Sequence, residues 1–191
     1  MKQVVWFTSD LHFGHKNVIE YAKRPFANVD EMNATMISNW NARVQPEDTV
    51  YIVGDFALCN PNKAKALLKE LNGSKRLVRG NHDKWVKDSD VQVFDWVKDL
   101  HTVKVEDPDA HGGVQRIVLC HYAMRVWDQR HRGAWHLYGH SHGSLPDDKK
   151  SKSFDIGVDN HGFKPLSYDE VKALMADRGN DPVDHHGLRD E

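Results

Sequence analysis

RGNHD, residues 79–83, follows the run Lys75-Arg76-Leu77-Val78, which reads as a strand. An amide, an imidazole and a carboxylate stand in a row where that strand ends. Three polar side chains at the mouth of a buried sheet are costly unless something engages them. The same ending recurs along the chain. VVWFTSDLH (4–12) closes on Asp10 and His12, VYIVGD (50–55) on Asp55, RIVLCH (116–121) on His121, and WHLYGHSH (135–142) on His140 and His142.

Ligands of α/β sheets bind outside the carboxyl ends of strands, so these groups are expected to converge on one sheet edge. Carboxylates, one amide oxygen and several imidazoles suit Mn²⁺, Fe²⁺ or Zn²⁺ and are too rich in nitrogen for Mg²⁺ or Ca²⁺. Residues i and i+2 of a strand share a side. Asp10 with His12, and His140 with His142, are therefore expected to chelate as pairs. The donors exceed the needs of one tetrahedral ion, which points to two metals bridged by a carboxylate. Taken singly, each fragment is ordinarily a turn or a surface pair; their joint appearance at strand ends carries the reading.

The remaining features bound the answer. The chain has 191 residues and a net charge of −2, which suits one compact domain and offers no large basic surface for nucleic acid. The domain is expected over residues 1–178, with a polar tail over 179–191 containing His185 and His186. The uncharged stretch Gln3–Phe7 is too short for a signal sequence or a membrane span. Cys59 and Cys120 lack CxxC spacing and read as reduced, buried thiols of a cytoplasmic protein. Strand-like and helix-like runs alternate, which predicts a mixed α/β architecture. Asn28 and Ser167 are expected to cap helices bearing Val29, Met32, Met36 and Trp40, and Val171, Leu174 and Met175. A third helix is expected from Pro61, with Ala64, Leu67, Leu68 and Leu71 inward. HTVKVE and VQRIVLCHY are expected to pair as a hairpin. Trp85, Trp96, Trp127 and Trp135 are read as core or rim.

The ordered set SDLH, GDFA, GNHD, CHY and GHSH resembles the calcineurin-like metallophosphoesterases from Val4 to about Asp159. The longer stretches SDLHFGHKNVI, RPF, MNATMISNWN and DIGVDN are similar to a small bacterial and phage subfamily of phosphoesterases. The resemblance implies a four-layer α/β/β/α sandwich, two mixed β-sheets flanked by helices. It also implies roles. Asp10, His12 and His142 would hold one metal, and Asn81, His121 and His140 the other, with Asp55 bridging. His82 would act on a proton over the site, and Asp83 would fix its tautomer. Manganese is the first choice for both ions, with Fe²⁺, Zn²⁺ or Ni²⁺ as alternatives. A metal-bridging hydroxide would attack phosphorus in line, and His82 would protonate the leaving alkoxide. One departure stands out: many members carry an Arg shortly after Gly-Asp, where this chain has Phe56-Ala57-Leu58.

His15, Asn17, Arg24 and Arg125 are expected substrate contacts, the alternative for each being a loop residue that serves the fold. The expected substrate is a small phosphodiester or nucleotide. The alternatives are a phosphomonoesterase or phosphoprotein phosphatase, a nuclease, and a binding scaffold without activity. No membrane partner is expected, and the oligomeric state is left open.

Overall fold

The computed structural model of the chain describes residues 3–87 and 93–184. His185 and His186 lie outside the described residues. Two sheets are stacked. The first has the order β4-β3-β2-β1-β9, built from β1 (Val5–Thr8), β2 (Thr49–Val53), β3 (Ser74–Val78), β4 (Trp96–Lys98) and β9 (Leu166–Ser167). The second has the order β5-β6-β7-β8, from β5 (Leu100–Glu106), β6 (Val114–Cys120), β7 (Trp135–Tyr138) and β8 (Ser153–Asp155). β1, β2, β3 and β4 run parallel, and β9 pairs antiparallel with β1. β5 and β6 form the expected antiparallel hairpin, while β6, β7 and β8 run parallel. Both sheets are thus mixed, and the molecule is a mixed α/β sandwich flanked by helices.

The period-two alternation of the strands builds two cores. Trp6, Val50, Ile52 and Leu77 face one side of the first sheet. There they meet Met32, Met36 and Trp40 of α2 (Val29–Asn41) and Ala64, Leu67 and Leu68 of α3 (Pro61–Glu70). Phe7, Tyr51, Val53 and Val78 face the other side and pack against Val103, Ile117, Leu119 and Leu137 of the second sheet. α4 (Tyr168–Ala176) adds Val171 and Met175 to this inter-sheet core. Leu174, expected inward, is 40% exposed. On the outer face of the second sheet, Val118 and Ala134 pack against Trp127.

The caps fall where expected. Asn28 Oδ1 accepts from Asp30 N and Glu31 N, and Ser167 with Glu170 forms a complete capping box. The short helix α1 (Val18–Tyr21) and the short strands β4 and β9 escaped the sequence reading. The segment after α4 is tied to the rest of the domain by hydrogen bonds. Gly179 N donates to Lys149 O and Asp181 N to Lys150 O, while Arg130 donates to the carbonyl of Asp181. These tethers are non-local and polar, so no periodicity announces them. Cys59 and Cys120 are free thiols and half-buried rather than buried. Among the described residues no helix is long and apolar enough to cross a membrane.

Candidate active site

The parallel strands β1, β2 and β3 of the first sheet and β6 and β7 of the second end on one side of the molecule, and their following loops carry the predicted donors. The loops are not continuations of the strands. β1 ends at Thr8 and β7 at Tyr138, and Asp10, His12, Asp55, His140 and His142 all have positive φ, between 46° and 69°. L-residues other than glycine seldom adopt that region, and where they do it is characteristic of ligand-clamping sites. The expected explanation of the pairs is therefore corrected. Asp10 and His12 share a target because of left-handed turns, not because of strand alternation. The glycines of the motifs have a steric reason. Gly54 has φ +91°, and a Cβ there would lie 2.2 Å from His121 Nδ1; one on Gly139 would lie 2.4 Å from Asp10 Oδ2.

The seven predicted donors come together as two groups. Asp10, His12 and His142 form one triad and Asp55, His121 and His140 the other, each with its potential ligand atoms within 4.8 Å of one another. Asn81 Oδ1 lies 3.1 Å from His121 Nε2 and 2.9 Å from His140 Nδ1, which adds the amide to the second group. Asp55 Oδ2 is 3.5 Å from His12 Nε2 and 3.5 Å from His121 Nε2. One carboxylate oxygen thus stands between the groups.

Backbone and side chains interlock. His140 N donates to both oxygens of Asp10, and His82 N donates to Asp55 Oδ1 at 2.8 Å. His121 Nδ1 lies 2.9 Å from the Val53 carbonyl, which can only accept, so Nδ1 carries the proton and Nε2 faces the site. His142 is fixed the same way by Asp159, whose Oδ2 is 2.7 Å from His142 Nδ1.

The electrostatics fit bound cations. His12 Nε2 is buried without a hydrogen-bond partner. Burial pushes the His12 imidazole down to about 3, leaving a neutral ring with a free lone pair. Burial pushes Asp10 up to about 7, against the pull of His121 and His142, so this carboxylate lacks a full complement of positive charge. Burial also opposes ionisation of Asp55, but the hydrogen bond and charge of His121 outweigh it and bring Asp55 down to about 2. A buried, unsatisfied imidazole nitrogen beside an under-neutralised carboxylate is the donor set a divalent ion completes.

Two predicted residues have other work. Arg24, expected to clamp substrate, is buried; Nε and Nη2 bond Asp159 at 2.8 and 2.9 Å. It also donates to the carbonyls of Leu11 and Asp10 at 3.0 and 2.6 Å. The fifth N–H faces Met32 Sδ at 3.4 Å, so the guanidinium has no donor left for phosphate. Asp83, expected to fix the His82 tautomer, is fully buried. Its carboxylate accepts from the backbone amides of Asp55, Phe56 and Gly80 at 2.8, 3.0 and 2.8 Å. It holds the Asp55 turn instead of touching the imidazole. Asp159 went unassigned by the sequence reading; its place in DIGVDN was the available signal.

His82 stands over the site, 37% exposed, with Nε2 4.0 Å from Asp55 Oδ2 and its ring 5.3 Å from that of His12. His15 Nδ1 is 3.2 Å from His12 Nδ1. A cleft of about 480 Å³ opens beside them, lined in part by His12, His15, Tyr21, His82, His140 and His142. Asn17 and Arg125 are exposed and do not line this cleft.

Comparison with known proteins matches this architecture to a family. The model for calcineurin-like phosphoesterases matches residues 4–144. An uncharacterized protein of Methanocaldococcus jannaschii is 34% identical over 178 residues, covering 90% of each chain. The gene 66 protein of Mycobacterium phage L5 is 28% identical, covering 89% of this chain and 93% of its own. A protein of unknown function from Aquifex aeolicus shares the fold with a TM-score of 0.66 at 24% identity, covering 91% of this chain and all of its own. The chain belongs to the calcineurin-like phosphoesterase family, and with its two candidate metal groups it is a metal-dependent phosphoesterase.

Proposed function

We propose that the protein is a two-metal phosphodiesterase acting on small or nucleotide-type esters. The observation that carries this reading is the Asp55 oxygen poised 3.5 Å from a histidine of each triad. A pair of divalent ions in such a site supplies a water acidified towards neutral pH and charge stabilisation for the phosphoryl oxygens. Manganese suits the mixture of carboxylate, amide and imidazole donors, with Fe²⁺, Zn²⁺ or Ni²⁺ as alternatives.

The residues of the chain do the rest. Asp10, Asp55 and Asn81 bring oxygen donors, and His121 and His142 are held in single tautomers by Val53 and Asp159. His82 is a part-exposed imidazole at the cleft and, like His15, is in neither triad. It acts as the general acid that protonates the departing alkoxide. A diester is favoured over a monoester by charge. The Arg that many relatives place after Gly-Asp is absent here, and Arg24 is buried against Asp159. A monoester dianion therefore meets no free bidentate clamp from either position, whereas a diester monoanion needs less neutralisation.

The test is kcat/KM of the Mn²⁺-loaded protein for a dinucleoside phosphodiester and for the corresponding nucleoside monophosphate. The diester is expected to be the better substrate. A higher kcat/KM for the monoester would replace this reading by a phosphomonoesterase.

A further inference from the structure

We propose that the segment from Val18 to Arg24 forms a leaving-group subsite that seats a nucleobase against Tyr21. The inference rests on the phosphoesterase reading above and specifies what leaves. Tyr21 is 75% exposed. A lone exposed aromatic is ordinary on a protein surface, and it is the position of this one that gives it meaning. It lines the cleft that His82 and His15 also line. Its ring sits edge-on to His15 at 6.4 Å, and His15 lies 5.2 Å from His12 and 6.2 Å from His82. A row of rings thus leads outward from the first triad on the side where His82 delivers its proton. The alcohol that receives that proton departs past His15 towards Tyr21.

The mount of Tyr21 is rigid. α1 continues into a tight turn in which Ala22 N donates to Val18 O, Lys23 N to Glu20 O and Arg24 N to Ile19 O, the last at 2.8 Å. Lys23, also lining the cleft, has φ +51°. A lysine held in the left-handed region is strain of the kind that persists where the surroundings over-determine it. Arg24 supplies that determination. Its guanidinium ties the turn to the carbonyls of Asp10 and Leu11, the loop of the first triad. The aromatic platform and the candidate metal site are therefore one preorganised unit.

The chemistry selects the occupant. Tyr21 offers a free aromatic face, Lys23 a cation for the anionic ester, and Ser141 and Ser144 polar groups in the same cleft. A nucleotide, with a planar heteroatom-rich base and an anionic ester, uses all three, and stacking on an aromatic side chain is tolerant of base identity. The volume of about 480 Å³ falls within the usual range for small-molecule sites.

The experiment is calorimetric binding of AMP, ribose 5-phosphate and inorganic phosphate to the Mn²⁺-loaded protein, wild type and Tyr21 variants. AMP is expected to bind more tightly than ribose 5-phosphate. Tyr21→Ala is expected to shrink that advantage by about 5- to 150-fold, the worth of one stacked base, and Tyr21→Phe to preserve it. Equal affinity for AMP and ribose 5-phosphate in the wild type, or an advantage unchanged in Tyr21→Ala, overturns the subsite. Hydrolysis of phosphate esters, measured on the same wild-type and Tyr21→Ala preparations, separates the two claims. Turnover with no Tyr21 dependence removes only the subsite, whereas no turnover of any ester removes the phosphoesterase reading itself.

Discussion

Asp159 Oδ2 lies 2.7 Å from His142 Nδ1, and the same carboxylate receives the buried guanidinium of Arg24. A carboxylate behind a ligand histidine fixes the ring and raises its basicity, and such outer partners typically matter 10- to 100-fold in metal affinity. Asp159→Asn keeps the shape but loses the charge that the guanidinium and imidazole share. It is expected to weaken one of two Mn²⁺ sites by about 10- to 100-fold and to spare the other. Titration calorimetry reads this directly; two unaltered sites would reduce Asp159 to a fold residue.

His82 carries the proton-transfer claim. A nitrophenolate departs readily without a proton, whereas a nucleoside alkoxide does not. General acid catalysis typically contributes about 10²- to 10⁴-fold. His82→Ala is expected to lose much of that on a nucleoside diester and distinctly less on a nitrophenyl diester, with metal content retained. Equal losses on both substrates would make His82 a phosphoryl-binding residue, and loss of metal would make it a ligand.

Asp83 separates from His82 in behaviour. Its two oxygens accept three backbone amides, and a carboxamide in that place turns one acceptor into a donor facing an N–H group. Leaving such a buried group unsatisfied costs about 1–3 kcal/mol. Asp83→Asn is expected to lower the unfolding free energy by about that amount in urea titration and to reduce metal content, because the Asp55 turn shifts. A variant of wild-type stability that merely copies His82→Ala would restore the tautomer role.

His136 supplies a pH test away from the site. It is fully buried, with Nδ1 bonded to the Val118 carbonyl and Nε2 accepting from Met124 N. Burial pushes it down to about 4, against the Val118 carbonyl, which favours the protonated ring. Its folded pKa lies below the unfolded value, so the unfolded chain binds the extra proton. The folded state loses nothing above pH ~6.5 and about 1.4 kcal/mol per pH unit as the pH falls from there towards the folded pKa. The stability advantage of wild type over His136→Gln is expected to narrow by about 2 kcal/mol between pH 7.5 and 5. A constant difference would mean that His136 titrates normally.

The candidate donors are readable from sequence because metal chemistry restricts residue type. Asp10, His12, Asp55, Asn81, His121, His140 and His142 each lie where a strand has just ended, and strand ends show as the close of an apolar run. How they are aimed was not readable. Left-handed φ at five of these positions has no one-residue signature outside glycine. The inward aim of Arg24 and Asp83 is hidden for a related reason. A charged side chain beside a motif reads the same whether it faces substrate or turns inward, and only their buried partners decide it. Asp159 is 135 residues from its partner Arg24, a pairing that no local pattern contains. β9 has two residues and β4 three, too few for periodicity to register.

The central claim is a pair of metal ions sharing Asp55. Elemental analysis after Mn²⁺ loading and removal of free ion tests it most directly, on wild type and Asp55→Ala together. The expected result is two ions per chain in the wild type, lost on chelation, with both sites impaired in Asp55→Ala. Less than one ion per chain in the loaded wild type, or a full complement with near-normal activity in Asp55→Ala, would contradict it.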